Sequence, residues 1–296
     1  MRATGATEPA AGVLYLVATP IGNLEDVTAR AVRTLGEVDL VAAEDTRRTG
    51  LLLRHLGIRR PIRSYYDAVE SARAPALVRE MLAGKSVALV SDAGTPGIAD
   101  PGYRLVSAAI TAGIRVIPIP GPSAITAFLP ASGLPTDRFA FEGFLPARQG
   151  ERRRRLAALA AEPRTLVFYE AGRRLGASIV DMAGAFGPRA AAIGRELTKL
   201  HEEILRGDLG ELAARAASLA VKGEVVIAVA GAPAVAAGSA ASGSAGEAGQ
   251  GLEEEISARR AAGTSLRDVA AALARERGLS RSSVYRLALS LERASQ

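Results

Sequence analysis

Two carboxylates stand side by side in the run Glu44-Asp45-Thr46-Arg47. An acid pair directly after an apolar stretch can take a proton from a bound hydroxyl, and it can equally favour a helix N-terminus through the dipole. A longer run, Ser91-Asp92-Ala93-Gly94-Thr95-Pro96-Gly97-Ile98-Ala99-Asp100-Pro101-Gly102, combines two aspartates with three glycines and two prolines. Glycines let backbone approach a ligand closely, and prolines hold a loop's shape. A typical βα connection needs only about 2–6 residues, so a run this long has the dimensions of a site rather than a spacer. Thr19 to Asn23 and Pro118 to Ser123 have similar Gly/Pro/Ser/Thr chemistry. Such loops offer mainly backbone N–H and C=O groups, which suits an uncharged, hydrogen-bonding group such as an adenosyl moiety better than a polyphosphate. There is no Gly-x-Gly-x-x-Gly. Ala83-Gly84-Lys85-Ser86 has the look of a phosphate-loop tail, yet Arg79 occupies the first glycine position and Lys85 precedes a strand, which excludes a nucleoside triphosphatase.

These runs need elements to hold them. Val13 to Ala18, Val38 to Ala43, Ile62 to Tyr66, Val87 to Val90 and Ile114 to Ile119 read as strands, several of them continuous apolar runs of the buried parallel kind. Between them come helices ending at Leu35 and spanning Thr46 to Leu56, Ala72 to Ala83 and Tyr103 to Gly113, and Ser123 to Ser132 follows as another. Strand–helix alternation predicts a mostly parallel sheet, with the chemistry-bearing loops at the carboxyl ends of its strands. The pattern restarts near Arg138. Phe139 to Phe144, Leu166 to Tyr169, Ala190 to Gly194 and Val225 to Ala230 are its strands, and helices fall at Glu151 to Ala161, Leu175 to Phe186 and Leu209 to Leu219. Short connections predict that some of these strands are antiparallel.

The expected organisation is therefore α/β in two domains with a small helical addition. Residues 1–12 are read as disordered, 13–120 as the N-terminal α/β domain and 121–235 as the second. A flexible linker covers 236–251, where residues 236–250 hold thirteen Ala, Gly or Ser. The last part, 252–296, is a basic module. Leu266, Val269, Ala270 and Leu273 form one apolar helix face, Val284, Leu287, Ala288 and Leu291 another, and Gly278 and Ser280 make the turn, as in a helix-turn-helix. From Ile256 onward there are eight arginines against three acidic residues.

The 296 residues are 48% apolar and 23% charged, with a formal charge of +6. That excess favours a polyanionic partner. There is no cysteine, so disulfide and thiolate chemistry are excluded, and His55 and His201 alone make no zinc site. No membrane span is expected, and the reading is of a cytoplasmic protein.

Six runs occur in order: Leu16 to Leu24, Ala42 to Arg47, Ser91 to Gly102, Pro120 to Ala124, Glu142 to Pro146 and Arg195 to Lys199. Together they resemble the small-subunit ribosomal RNA methyltransferase I family, S-adenosylmethionine-dependent cytidine 2′-O-methyltransferases within the tetrapyrrole-methylase superfamily. The resemblance covers about residues 13 to 231. It implies two α/β domains of tetrapyrrole-methylase type, a homodimer, S-adenosylmethionine in a cleft between domains, and 16S ribosomal RNA or the small subunit as substrate at a decoding-centre cytidine. Where the family carries a histidine-containing stretch, this chain has Tyr65 to Glu70, with Tyr66 or Asp67 in its place.

On that reading Glu44 and Asp45 are the catalytic candidates, with Glu196 and Lys199 as other possible bases. Lys199 suits a phosphate contact better, since it needs no lowered pKa for that role. Pro20, Gly22, Asp92, Gly94, Thr95, Ser123 and Ala124 are expected to bind the cofactor. Phe141, Phe144 and Tyr169 would line the adenine pocket or simply pack. Arg47, Arg152, Arg153, Arg154, Arg155, Arg173, Lys199, Arg281 and Arg286 are expected to contact RNA; any one of them could be just a solvated cation. Two other readings stay open: methylation of a tetrapyrrole, and a ligand-sensing DNA-binding regulator.

Overall fold

The computed structural model describes residues 11–216, 223–233, 247–277, 284, 285, 287–289 and 291. They fall into two compact units, Met1–Ala234 and Val235–Gln296.

The first unit contains two five-stranded sheets. Sheet one is built from β1 (Val13–Val17), β2 (Leu40–Ala43), β3 (Ile62–Ser64), β4 (Val87–Val90) and β5 (Arg115–Ile119), all parallel, in the order β3-β2-β4-β1-β5. Helices α1 (Ala29–Glu37), α2 (Thr46–His55), α3 (Asp67–Leu82) and α4 (Tyr103–Thr111) connect them. Alternate side chains enter different cores, as the period of two demands. Leu14, Leu40, Ala42, Val87 and Leu89 pack with α3 and α4 residues Leu77, Met81 and Leu105. Val17, Val41, Ala43, Ala88 and Val90 pack with Ala31, Leu35 and Leu53 of α1 and α2.

Helix α3 begins at Asp67, five residues before the expected Ala72, and Pro75 lies inside it. Asp67 and Glu70 occupy its first turn, where carboxylates favour the dipole. Glu70 is also anchored elsewhere: its Oε1 accepts from Gly102 N at 2.9 Å, Arg104 N at 3.1 Å and the Tyr65 hydroxyl at 3.2 Å. This buried carboxylate thereby caps the N-terminus of α4, whose own cap residue, Gly102, has no side chain to do so.

The chain leaves sheet one after Ile119. Helix α5 (Ala124–Phe128) then packs on sheet two, which comprises β6 (Phe139–Phe144), β7 (Thr165–Ala171), β8 (Ala190–Arg195), β9 (Glu203–Asp208) and β10 (Glu224–Val229) in the order β6-β7-β10-β8-β9. Only β6 and β7 pair in parallel. Helices α6 (Gln149–Ala158), α7 (Leu175–Phe186) and α8 (Leu209–Ala216) cover one face. Ile125, Phe128 and Leu129 cover the other, against Val167, Ala192, Val226 and Ala228. Strand β9 was not expected. It is an edge strand with one mostly buried side chain, Leu205, and its Glu-Ile-Leu-Arg-Gly-Asp sequence lacks an apolar alternation.

In the second unit, α9 (Glu247–Ala261) begins inside the segment expected to be a flexible linker, so residues 247–251 are helical. The reason lies further along the helix. Ile256 of α9 is buried with Val269, Ala270 and Leu273 of α10 (Leu266–Arg277) and with Val284 and Ala288, so the apolar faces expected to form a helix pair share a third element. Arg259 pairs with Glu255 and Glu276, and Arg277 with Glu255, which neutralises part of the basic surface. Gly278, Ser280, Arg281 and Arg286 lie outside the described residues. No helix among the described residues is long and apolar enough to cross a membrane.

Candidate functional site: two adjoining clefts at the strand ends

The order β4-β1-β5 places the loops after these three strands side by side at one edge of sheet one. They are bonded to each other. Thr19 N donates to Gly94 O at 2.9 Å, Gly94 N donates to Thr19 O at 3.0 Å, and Thr19 Oγ1 donates to Ser91 O at 3.1 Å. Thr95 Oγ1 donates to Pro122 O at 3.3 Å. Among the described residues, three non-glycine residues take the left-handed conformation, Ala99 at φ 62°, Glu196 at φ 50° and Thr198 at φ 65°, and all lie in the loops around this edge. Each such residue costs on the order of 1–3 kcal/mol, and such strain concentrates at functional sites.

The first cleft, of about 810 Å³, lies between these loops and sheet two. Gly94, Thr95, Ser123 and Ala124 of the expected cofactor-binding set line it, together with Ile21, Ala93, Ile98, Phe144, Tyr169, Gly194, Leu197, Val225 and Val226. Its charged groups are Asp100, Glu196, Glu224 and Lys199, three carboxylates against one ammonium. Lys199 Nζ sits 3.1 Å from Glu196 Oε1. Burial pushes the Asp100 carboxyl up to about 6; the Ser91 hydroxyl opposes this, and the charges of Glu44, Glu224 and Asp92 add to it. Burial, reinforced by the charge of Asp100, raises the Tyr169 phenol to about 12, so it remains a proton donor at neutral pH. Phe141 packs edge-on against Tyr169 at 4.9 Å and does not line the cleft. A net-negative cavity with main-chain walls and two aromatic rings accepts a cationic ligand with an aromatic portion and disfavours a polyphosphate.

A second cleft, of about 920 Å³, adjoins the first and shares Ile21, Ala93 and Lys199 with it. Pro20, Gly22 and Asp92 line this cleft rather than the first, alongside Leu24, Arg48, Leu51 and Leu52. Gly22 is a point of close approach. A Cβ there would lie 2.7 Å from both the Leu197 carbonyl oxygen and Thr198 Oγ1, and 2.8 Å from Lys199 Cγ.

Glu44 and Asp45 line neither cleft. Strand β2 lies beyond β4 in the sheet, so the long loop after β4 stands between them and the first cleft. Asp45 is the N-cap of α2; its Oδ1 accepts from Arg47 N at 2.8 Å, and the Arg47 guanidinium holds its carboxyl far below the usual range. Glu44 Oε2 accepts weakly from Asp92 N at 3.4 Å, and burial raises its carboxyl. The acid pair therefore supports Asp92, whose Oδ1 in turn accepts from Asp45 N at 2.9 Å. Tyr66 and Asp67 also line neither cleft.

The expected phosphate contacts divide. Arg47 is 88% exposed, and Arg153, Arg154, Arg155 and Arg173 are exposed as well. Arg152 requires a correction. Its side chain is only 5% exposed and is paired at 2.6 Å with Asp181, itself 1% exposed, so it is part of the interior. On α6 it shares a face with Leu156, both buried, while the following three arginines point outward. Arg153 also reaches Asp181, and Arg155 pairs with Glu142. Asp100 and Glu224 were missed as site residues. Asp100 had a signal, as the second aspartate of the Ser91 to Gly102 run, whereas Glu224 stands alone before an apolar strand. Among the described residues no group of three or more His, Cys, Asp or Glu could hold a metal ion.

Residues 13–213 match the family model of tetrapyrrole (corrin/porphyrin) methylases. A Mesorhizobium japonicum protein named ribosomal RNA small subunit methyltransferase I is 55% identical over 224 residues, 75% of this chain and 75% of its own length. Its Synechocystis namesake is 46% identical over 282 residues, 95% of this chain and 99% of its own. Among solved structures, the methyltransferase CobJ aligns with a TM-score of 0.58 at 19% identity, covering 75% of this chain and 95% of that one. Uroporphyrin-III C-methyltransferase of Thermus thermophilus, complexed with S-adenyl homocysteine, aligns with a TM-score of 0.53 at 22% identity, covering 73% and 97%. At such identities these two likenesses speak for the fold alone. With its strand-end loops, its two sheets and relatives of this similarity, the chain belongs to the tetrapyrrole methylase family and groups with the ribosomal RNA small subunit methyltransferases I.

Proposed function

We propose that this protein transfers the methyl group of S-adenosylmethionine to the 2′-hydroxyl of a cytidine in 16S ribosomal RNA, at the decoding centre and as a homodimer. The observation that carries the reading is the first cleft, whose carboxylates outnumber its one lysine. The names of the relatives support a ribosomal RNA substrate, and the family resemblance supports the cytidine 2′-hydroxyl.

S-adenosylmethionine fits the donor set: its sulfonium is a cation that Asp100, Glu196 and Glu224 would attract, and its adenosine would meet the main chain of Gly94, Thr95, Ser123 and Ala124 beside Phe144 and Tyr169. When bound, it supplies an electrophilic methyl group. The chain's task is to orient the acceptor hydroxyl, exclude water and remove a proton. Asp100, which lines the cleft and has a carboxyl near 6, is the group we assign to accept that proton. Glu44 and Asp45 position the Asp92 end of the same loop. Arg47, Arg153, Arg154, Arg155 and Arg173 would meet phosphates, a role that predicts RNA affinity falling steeply with salt.

The deciding experiment incubates purified protein and labelled S-adenosylmethionine with small subunits, naked 16S RNA or a uroporphyrin-type acceptor. The expected outcome is one ribose methylation on the RNA and none on the tetrapyrrole. Failure to bind S-adenosylmethionine or S-adenosylhomocysteine at all would overturn the reading. A second expectation concerns Gly22→Ala. Overpacking costs about 1–3 kcal/mol, and here it would prise the loop after β1 from the Leu197–Lys199 turn. Calorimetry should show S-adenosylhomocysteine affinity down about tenfold with the circular dichroism spectrum unchanged.

A further inference from the structure

The second cleft has a character opposite to the first. Its cations are Arg48, on the first turn of α2, and Lys199, which both clefts share. The Arg48 side chain is 66% exposed and pairs with Asp92, Nη1 to Oδ2 at 3.2 Å. An exposed ion pair of this kind contributes little to stability, about 0–1 kcal/mol, so the guanidinium can be recruited by a stronger anion at small cost. The rest of the lining mixes polar residues, Asp92, Ser91 and Thr49 among them, with the apolar Leu24, Leu51 and Leu52. Leu24 and Leu51 are exposed large aliphatic side chains, Leu51 at 60%, and both line the cleft. Solvated leucines in a cleft that also holds two cations match a group with an uncharged, flat body and anionic neighbours.

We propose that this cleft seats the acceptor nucleotide of the RNA strand, with Arg48 and Lys199 taking the phosphates on either side and Leu24 and Leu51 supporting its sugar and base. The inference rests on the methyltransferase reading above. It adds Arg48, a phosphate-contacting, positioning residue not among the expected contacts, and it places the acceptor next to the donor cavity across Ile21 and Ala93. The guanidinium suits this role because it presents a planar fork to phosphate oxygens. Arg48 leaves Asp92 on binding, and Asp92 keeps the Asp45 amide as its donor.

The test compares wild type with Arg48→Ala, Arg48→Lys and Leu51→Ser. Each is assayed for S-adenosylhomocysteine affinity by calorimetry, for 16S RNA affinity across a salt series, and for oligomeric state by sedimentation. The expected result for Arg48→Ala is RNA affinity down about tenfold at low salt, a shallower salt slope by about one ion, partial recovery in Arg48→Lys, and unchanged S-adenosylhomocysteine affinity. Leu51→Ser should lower RNA affinity without altering the salt slope. Three results overturn the inference: RNA affinity unchanged in both; a loss of S-adenosylhomocysteine affinity in Arg48→Ala, which would make Arg48 a prop for the Asp92 loop; or a change in sedimentation with RNA affinity intact, which would make the cleft a contact between copies. In all three the wild type still binds S-adenosylhomocysteine, so the proposed function would stand.

Discussion

Asp100→Asn should lower methyl transfer by about two to four orders of magnitude, the usual contribution of a positioned proton acceptor, while S-adenosylhomocysteine affinity stays within about threefold. The same substitution should make the free protein more stable at pH 8. The two effects share one cause. The folded protein holds this carboxyl at about 6 against an ordinary 3.8, because burial disfavours its charged form. Between those values the folded state binds more proton than the unfolded one, so stability falls as pH rises through that window and the deficit persists above it. Asparagine has no charge to desolvate. Its melting temperature should therefore exceed wild type by about 2–4 °C for each kcal/mol recovered, and the difference should vanish near pH 4. The charge also faces the ligand. S-adenosylmethionine, carrying a sulfonium, should bind more weakly as pH drops below about 6, whereas the uncharged sulfur of S-adenosylhomocysteine should be less affected. A merely structural Asp100 would give Asn a normal rate with a normal pH profile. Asp100→Glu, which keeps a carboxylate, should restore part of the rate.

The largest loss of stability is expected from Asp181→Ala. Asp181 Oδ2 accepts from Arg152 Nε at 2.8 Å and Oδ1 from Arg153 Nε at 2.8 Å, tying α6 to α7. Removing it leaves the Arg152 guanidinium buried with, among the described residues, a 3.3 Å bond to the Ala147 carbonyl. Breaking a buried pair from one side typically costs about 3–5 kcal/mol, whereas replacing both partners with apolar side chains is often neutral. Chemical denaturation should show that loss for Asp181→Ala and a much smaller one for the double substitution Arg152→Met with Asp181→Leu. Burial works against ionisation of Asp181, but the Arg153 and Arg152 guanidiniums outweigh it and hold the carboxyl below the usual range. Its contribution is thus complete above the ordinary carboxylate pKa and fades as pH falls below it. Loss of RNA binding in Arg152→Ala would consequently report unfolding rather than a missing phosphate contact, and Arg154→Ala is the cleaner probe of the basic face.

Arg152 also shows where reading the sequence succeeded and failed. A run of four arginines looks like one charged patch, but successive residues on a helix are 100° apart, so one of the four must turn inward when Leu156 and Leu159 do. The strands of sheet one and the loops after them were legible because apolar runs, glycines and prolines act locally. The composition of the clefts was not, because it depends on strand order. Placing β4 beside β1 brings Thr19 to Gly94 and moves Glu44 and Asp45 behind Asp92, and no local pattern encodes that neighbour relation. Glu224 reaches the first cleft only because β10 runs through the middle of sheet two. Strand β9 and helix α9 were missed for a related reason: their sequences are weakly patterned, and they are placed by distant partners, β8 pairing and the Leu205 core in the first case and the Ile256 core in the second.

The bonds that lash the strand-end loops together have a thermodynamic corollary. Thr19 and Gly94 exchange a pair of main-chain bonds, Thr95 ties to Pro122, and Glu70 fastens the far end of the long loop at Gly102 and Arg104. The conformational freedom of this cradle is surrendered when the polypeptide folds and not once per turnover, so a methyl donor would arrive at a receptor already in shape, and selectivity would lie in how firmly the occupant is released.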